Sequence, residues 1–405
     1  MELRRNGVAV GAVILIAALI FISTVNSPVG GETGSTLAGN VGARDCSGLA
    51  SPELDVCVMG SIEAIIAEEG IAGGLEFFRT YYSRMGECHQ LAHLMGQASY
   101  EAYANGDTIR FGPETSFCGW GFWHGFATSF ARTAGGDYRA AKKFCTDIDG
   151  FGVAGIDSCF HGIGIGLVPD PPQPRAWGNP VAVANRAADN CGIAKENRKD
   201  YMECLAGAFH GVFDYMRDDR YGLHFDTANP FLACQAQEST ERKDACYSQM
   251  MPLATMLAQD NIEAYLNDFL DADPAWAAAK GPDLEPYVSL IAAMYPPFLK
   301  GRNAYSPRTF VAKCRQFPEQ FQGFCIAGMV RGHFTTGSIT DGEYRSARML
   351  CDAPGLAGAE KTECRKAVVR AGYEFYAPED AARICREIIG GADAFCTHIA
   401  AAERR

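Results

Sequence analysis

The chain has 405 residues, 48% of them apolar and 21% charged, enough to bury one large core or two smaller ones. Its formal net charge of −12 argues against a nucleic-acid partner, which would require a basic stripe facing phosphates, and no polybasic patch for anionic lipid is present.

The N-terminus reads "MELRRNGVAVGAVILIAALIFIST", two arginines followed by an uncharged apolar run from Val8 to Ile22. This run is shorter than the ~20 residues of a full span, but Gly7 and Ser23–Thr24 extend it to helix length. Residues 1–24 are therefore expected to form a membrane segment, an uncleaved anchor or a cleaved signal. Arg4 and Arg5 keep its start cytoplasmic and send the bulk of the chain outside. The protein is then anchored through this helix, or secreted if the signal is removed. "NSPVGGETGSTLAGN" makes residues 25–45 a flexible tether.

Sixteen cysteines in an exported chain read as disulfides, and the absence of C-x-x-C excludes zinc ribbons, thioredoxin-like redox motifs and c-type haem attachment. Most fall into close pairs: Cys46/Cys57, Cys145/Cys159, Cys191/Cys204, Cys234/Cys246, Cys314/Cys325, Cys351/Cys364 and Cys385/Cys396. Before the first member stand glycine-free, Ala- and Arg-rich segments such as "DYRAAKKFC", "VANRAADNC" and "EYRSARMLC". After the second, "CLAGAFHG", "CIAGMVRG" and "CRKAVVRA" share the frame C-x-x-[GA]-x-x-[HR]-[GA], as does "CGWGFWHG" after Cys118. The pattern predicts a helix ending at one cysteine, a short connection, and a helix beginning at the next, with a disulfide stapling the hairpin. Its recurrence every ~35–45 residues is that of stacked helical hairpins. The expected fold is all-α: disulfide-stapled helical-hairpin repeats, an α-solenoid or curved α/α array behind the membrane segment. Small residues in the second helix admit the neighbouring hairpin.

Cys88 and Cys118 form a less regular eighth pair, which makes residues 89–116 an insertion containing the helix "HQLAHLMGQASYEAYANGD". "LVPDPPQPRAWGNP" at 167–180 reads as a surface loop. The breakers "DADPAWAAAKGPD" and "YPPF" mark residues 261–313 as a cysteine-free connection between N-terminal repeats at 46–260 and C-terminal repeats at 314–405.

No H-E-x-x-H, G-x-S-x-G or P-loop occurs, and "GFGVAG" at 150–155 lacks the preceding apolar strand of a dinucleotide fingerprint and reads as a loop, so no organic cofactor is expected. The histidines are informative. Five of the eight lie between 89 and 210: His89, His93, His124, His161 and His210. His89 and His93 are i,i+4 on one helix and project from one face. His124 and His210 stand six residues after their cysteines and His161 two after Cys159, offsets of about 240° and 200° around a helix at ~100° per residue, hence one face one turn apart. Gln97 and Glu101 continue the first stripe, and Asp214, i+4 from His210, is placed to orient its ring. Such a set suits zinc, copper or iron.

The expected function is a histidine-rich, transition-metal-binding pocket in the N-terminal half, with metal-dependent oxidase or hydrolase chemistry as the class these residues allow; substrate and catalytic residues stay unassigned. The alternative is a non-catalytic solenoid that binds another envelope protein and uses its histidines structurally. The concentration of histidines in one half favours the first.

Overall fold

In a computed structural model of the chain, Cys46, Leu49 and residues 53–81, 88–109, 113–133, 138–147, 152–226, 228–257, 262–293, 307–335, 341–375, 378–390 and 394–402 are described. The expected membrane segment and tether lie outside them. Among the described residues every regular element is helical, and no helix is long and apolar enough to cross a membrane.

The chain opens with α1 (Glu53–Tyr81), broken at Gly70, whose φ of 73° only glycine adopts readily. It continues through α2 (Cys88–Ala104), α3 (Phe117–Thr133), α4 (Tyr138–Asp147), α5 (Gly152–Gly166), α6 (Pro180–Asn190) and α7 (Arg198–Arg217). After a short helical turn at Leu232–Gln235 come α8 (Thr240–Leu257), α9 (Ile262–Ala272), α10 (Pro274–Lys280) and α11 (Glu285–Ala293). The C-terminal part holds α12 (Pro307–Cys314), α13 (Glu319–Thr335), α14 (Asp341–Cys351), α15 (Gly358–Phe375), α16 (Pro378–Cys385) and α17 (Ala394–Ala402).

Disulfides link Cys46–Cys57, Cys145–Cys159, Cys191–Cys204, Cys234–Cys246, Cys314–Cys325, Cys351–Cys364 and Cys385–Cys396. Cys118 is also disulfide-bonded, and the side chain of its expected partner Cys88 lies outside the described residues. In hairpins such as α4/α5, α6/α7, α12/α13 and α14/α15, a short amphipathic helix leads through its cysteine into a longer, more buried one. In α4, Ala141 and Cys145 are buried while Arg139, Ala140 and Lys143 are exposed, the one-sided burial of a helix that covers its partner from outside.

The longer helices pack in a row: α1 on α2, then α3, α5, α7, α8, α11, α13 and α15, each touching the next. Glycine makes the row tight. A Cβ on Gly125 of α3 would stand 2.7 Å from the His93 carbonyl carbon of α2, and one on Gly96 of α2 would stand 2.6 Å from the Phe126 nitrogen of α3. Gly164 and Gly207 play the same reciprocal part between α5 and α7, and Gly328 and Gly332 face the α11 backbone from α13. Such near-contact of backbones is open only to residues without a side chain.

Three features differ from the plan read in the sequence. First, α2, which falls in the segment read as an insertion, is a full member of the row, because Gly96, Ala92 and Gly125 let it lie flat against α3. Second, the cysteine-free interval continues the row: α11 bridges α8 and α13, and where a disulfide would stand, Lys243–Asp273 (2.5 Å) and Lys280–Asp244 (2.5 Å) tie α8 to the segment around α10. Third, the second half of "GFGVAG" is the first turn of α5 rather than a loop. In addition, α13 and α15 both touch α3, so the end of the row returns to its beginning. All of these helices belong to the compact unit that begins at Ala43.

Candidate metal centre

The row brings His89 and His93 (α2), His124 (α3), His161 (α5) and His210 (α7) to one place. Ring centroids lie 4.8 Å apart for His89–His93, 5.3 Å for His89–His124, 5.2 Å for His93–His124, 4.5 Å for His124–His161 and 5.3 Å for His161–His210. His93 and His210 are 6.0 Å apart. His93, His124 and His161 are buried, and His89 and His210 are partly exposed at the edge.

The nitrogens fall into two groups. His93 Nε2 lies 3.2 Å from His89 Nε2 and 3.3 Å from His124 Nδ1, and one nitrogen from each of these three residues falls within 4.8 Å of the others. His161 Nε2 lies 3.0 Å from His210 Nδ1. In each group the outward nitrogen of one ring is tied. His89 Nδ1–H donates to the Cys118 carbonyl oxygen at 2.6 Å, which leaves the Nε2 lone pair facing His93. The Asp214 carboxylate lies 3.7 Å from His210 Nε2, favouring a proton there and a free lone pair on Nδ1 toward His161. A carbonyl or carboxylate behind a histidine is the arrangement that fixes tautomer and orientation in metal sites.

The Cys118 carbonyl reaches His89 through an unusual turn. Cys118, Gly119 and Trp120 are all left-handed, with φ of 56°, 65° and 66°. For the two non-glycine residues this costs about 1–2 kcal/mol each. Strain of this kind collects at functional sites and persists only where surrounding structure enforces it. Here the Cys118 disulfide and the fully buried Trp123 and Phe122 hold the segment down.

Burial, reinforced by neighbouring imidazoles, holds His93, His124 and His161 well below the ordinary histidine range. His89 is pushed down to about 4, burial outweighing its bond to the Cys118 carbonyl. The rings are therefore neutral at pH 7, the form that coordinates a metal. Gln97 is half-buried further along α2, and Glu101 is exposed.

Two features escaped the sequence reading. Arg217, seven residues after His210 and so on its face of α7, pairs with Asp214 at 3.1 Å and neutralises the carboxylate behind the histidine. Glu203, seven residues before His210, belongs to a second polar layer with Asp157, Lys199 and Arg331: Lys199 pairs with Asp157 at 3.0 Å, and burial with the nearby Asp157 pushes the Glu203 carboxyl up to about 7 against the pull of Lys199 and Arg331. The i,i+7 spacing around His210 was the available signal for both.

No protein-family model, curated protein or solved structure matches this chain. The functional reading therefore rests on the site itself.

Proposed function

We propose that the protein is an exported, membrane-tethered helical-repeat array whose N-terminal half binds a transition metal through His89, His93 and His124, with His161 and His210 completing the pocket. The observation that carries this reading is the pair of donor separations, 3.2 and 3.3 Å, across two helices. Tetrahedral bonds of ~2.0–2.1 Å place donor nitrogens about 3.3 Å apart. The neutral state of buried rings and the tethering of His89 and His210 from behind support it further. Zinc, copper and iron all accept imidazole, and an ion with three protein ligands keeps a position for substrate, the arrangement used in metal-assisted hydrolysis or oxidation.

The location outside the cytoplasm is supported by the disulfides, which persist in oxidising compartments, and by the arginines preceding the apolar N-terminal run. The test is elemental analysis of the full chain, purified in detergent without a histidine tag and offered zinc, copper or iron. Stoichiometric metal is expected in the wild type and should be lost from the His89→Ala/His93→Ala double variant while the helical circular-dichroism signal persists. A wild type that takes up none of the three metals would return the histidines to a structural role and favour the scaffold that binds an envelope partner.

A further inference from the structure

The five imidazoles number more than one four-coordinate ion uses, and they are not arranged around a single point. His124 and His161 overlie each other: their ring centroids are 4.5 Å apart and their planes differ by only 27°. Rings this close and this parallel must meet face to face, since edge to edge they would collide. An imidazole lone pair lies in the plane of its ring, so two stacked rings direct their lone pairs to two separate points. His124 Nδ1 faces His93, and His161 Nε2 faces His210. The stack therefore divides the donors into a set of three and a set of two, at a spacing of the same order as the ~3.5–4 Å between ions in two-metal sites.

Charge narrows the kind of ion. None of the five donors is anionic, and Asp214, the carboxylate that among the described residues pairs with one of them, is itself paired with Arg217 at 3.1 Å. Two divalent ions would bring four positive charges into a largely buried pocket without a compensating ligand. The desolvation cost rises with the square of each ion's charge, so monovalent ions lower it about fourfold per ion. Coordination number points the same way. A structural zinc site needs four ligands, whereas a cuprous ion is satisfied by two or three, the numbers that the two donor sets provide.

We infer that the pocket is a dinuclear cuprous site, with one copper(I) held by His89, His93 and His124 and a second held by His161 and His210. Asp214 is the positioning residue of the second ion, keeping the His210 Nε2 proton outward. The inference rests on the metal-binding reading and adds the second ion and the metal's identity.

The test is anaerobic titration of the full chain in detergent with copper(I) supplied as its acetonitrile complex, so that no thiol reductant touches the disulfides. Bicinchoninate serves as the competing chelator, and elemental analysis follows gel filtration. Two copper(I) ions per wild-type chain are expected. One is expected in the His161→Ala/His210→Ala variant and one in the His89→Ala/His93→Ala variant, each with an unchanged circular-dichroism spectrum. Zinc titrated in the same way should bind at no more than one equivalent. A wild type that binds one copper, retained by the His161→Ala/His210→Ala variant, overturns the second site and leaves the metal reading intact. Two equivalents of zinc with no copper(I) overturn the cuprous assignment. No binding of copper, zinc or iron removes the metal reading itself.

Discussion

Gly125→Ala is a small change with a large expected effect, because the two helices that carry His93 and His124 touch through this glycine. The added methyl would lie 2.7 Å from the His93 carbonyl carbon and 2.9 Å from its Cα. Carbon atoms rest at about 3.5–4.0 Å, so α2 and α3 must part by roughly 1 Å. Overpacking of this kind costs about 1–3 kcal/mol, against which alanine's better helix propensity returns at most ~1 kcal/mol. The same step exceeds the ~0.5 Å tolerance of a ligand constellation, so metal affinity should fall together with stability. Gly60→Ala in α1 and Gly323→Ala in α13 are the controls: nothing lies within 4 Å of either added methyl. There only the propensity gain remains, and each should stabilise by roughly 0.5–1 kcal/mol. Thermal and denaturant melts of the three oxidised variants decide the matter, because the same chemical change should act with opposite signs. If Gly125→Ala is as stable as Gly60→Ala and binds metal like the wild type, the close helix contact is not what builds the pocket.

Acid should destabilise the metal-free protein well before carboxylates titrate. His89 is held at about 4 by burial, so as pH falls from 6.5 to 4 the unfolded chain takes up a proton that the folded one refuses. Stability is lost across that window, about 2 kcal/mol at pH 5 from His89 alone, and denaturant melts that stay flat between pH 7 and 5 would contradict the buried cluster. Glu203 runs the other way: its carboxyl is raised to about 7, so the fold loses stability as pH rises from about 4.5 through 7, and Glu203→Gln should be the more stable protein at pH 8, by about 1–3 kcal/mol in a melt. Asp214→Asn keeps the shape but removes the charge behind His210; competition with a chelator should show metal affinity lowered about 10–100-fold with little change in melting temperature.

The parts of this molecule legible in its sequence are those governed by local periodicity. The disulfides join cysteines close in sequence, and the offsets of His124, His161 and His210 from their cysteines define helix faces before any packing is known. What could not be read depends on distant segments meeting. The breakers at Pro274 and Pro282 suggested a connection, yet the helices of this interval are buried through Trp276, Tyr287 and Ile291, and the ring neighbours of Trp276 and Tyr287, Tyr247 and Phe269, come from other helices. The contact of α13 and α15 with α3 leaves no local mark. Nor does the left-handed turn at Cys118 and Trp120, since propensity alone disfavours that conformation at both, with Gly119 the one permissive residue.

That turn is also one of the reasons the pocket forms without an ion. Three kinds of constraint converge on the imidazoles from the protein side. Glycine contacts set the spacing of α2 on α3 and of α5 on α7. Disulfides hold α5 and α7 to the helices outside them about two turns in, at Cys159 and Cys204, rather than at the helix starts that the sequence pattern predicts, each worth roughly 3 kcal/mol in a chain-entropy model. The Cys118 carbonyl and the Asp214 carboxylate fix the rings of His89 and His210 from behind. In a small metal-folded domain, by contrast, the binding energy of the ion is the folding energy, and removing it unfolds the chain. Here burial already disfavours protons on His89, His93, His124 and His161, so an arriving cation need not displace them there. A metal centre as proposed, in a fold stapled in this way, would release and reload an ion without the chain coming apart.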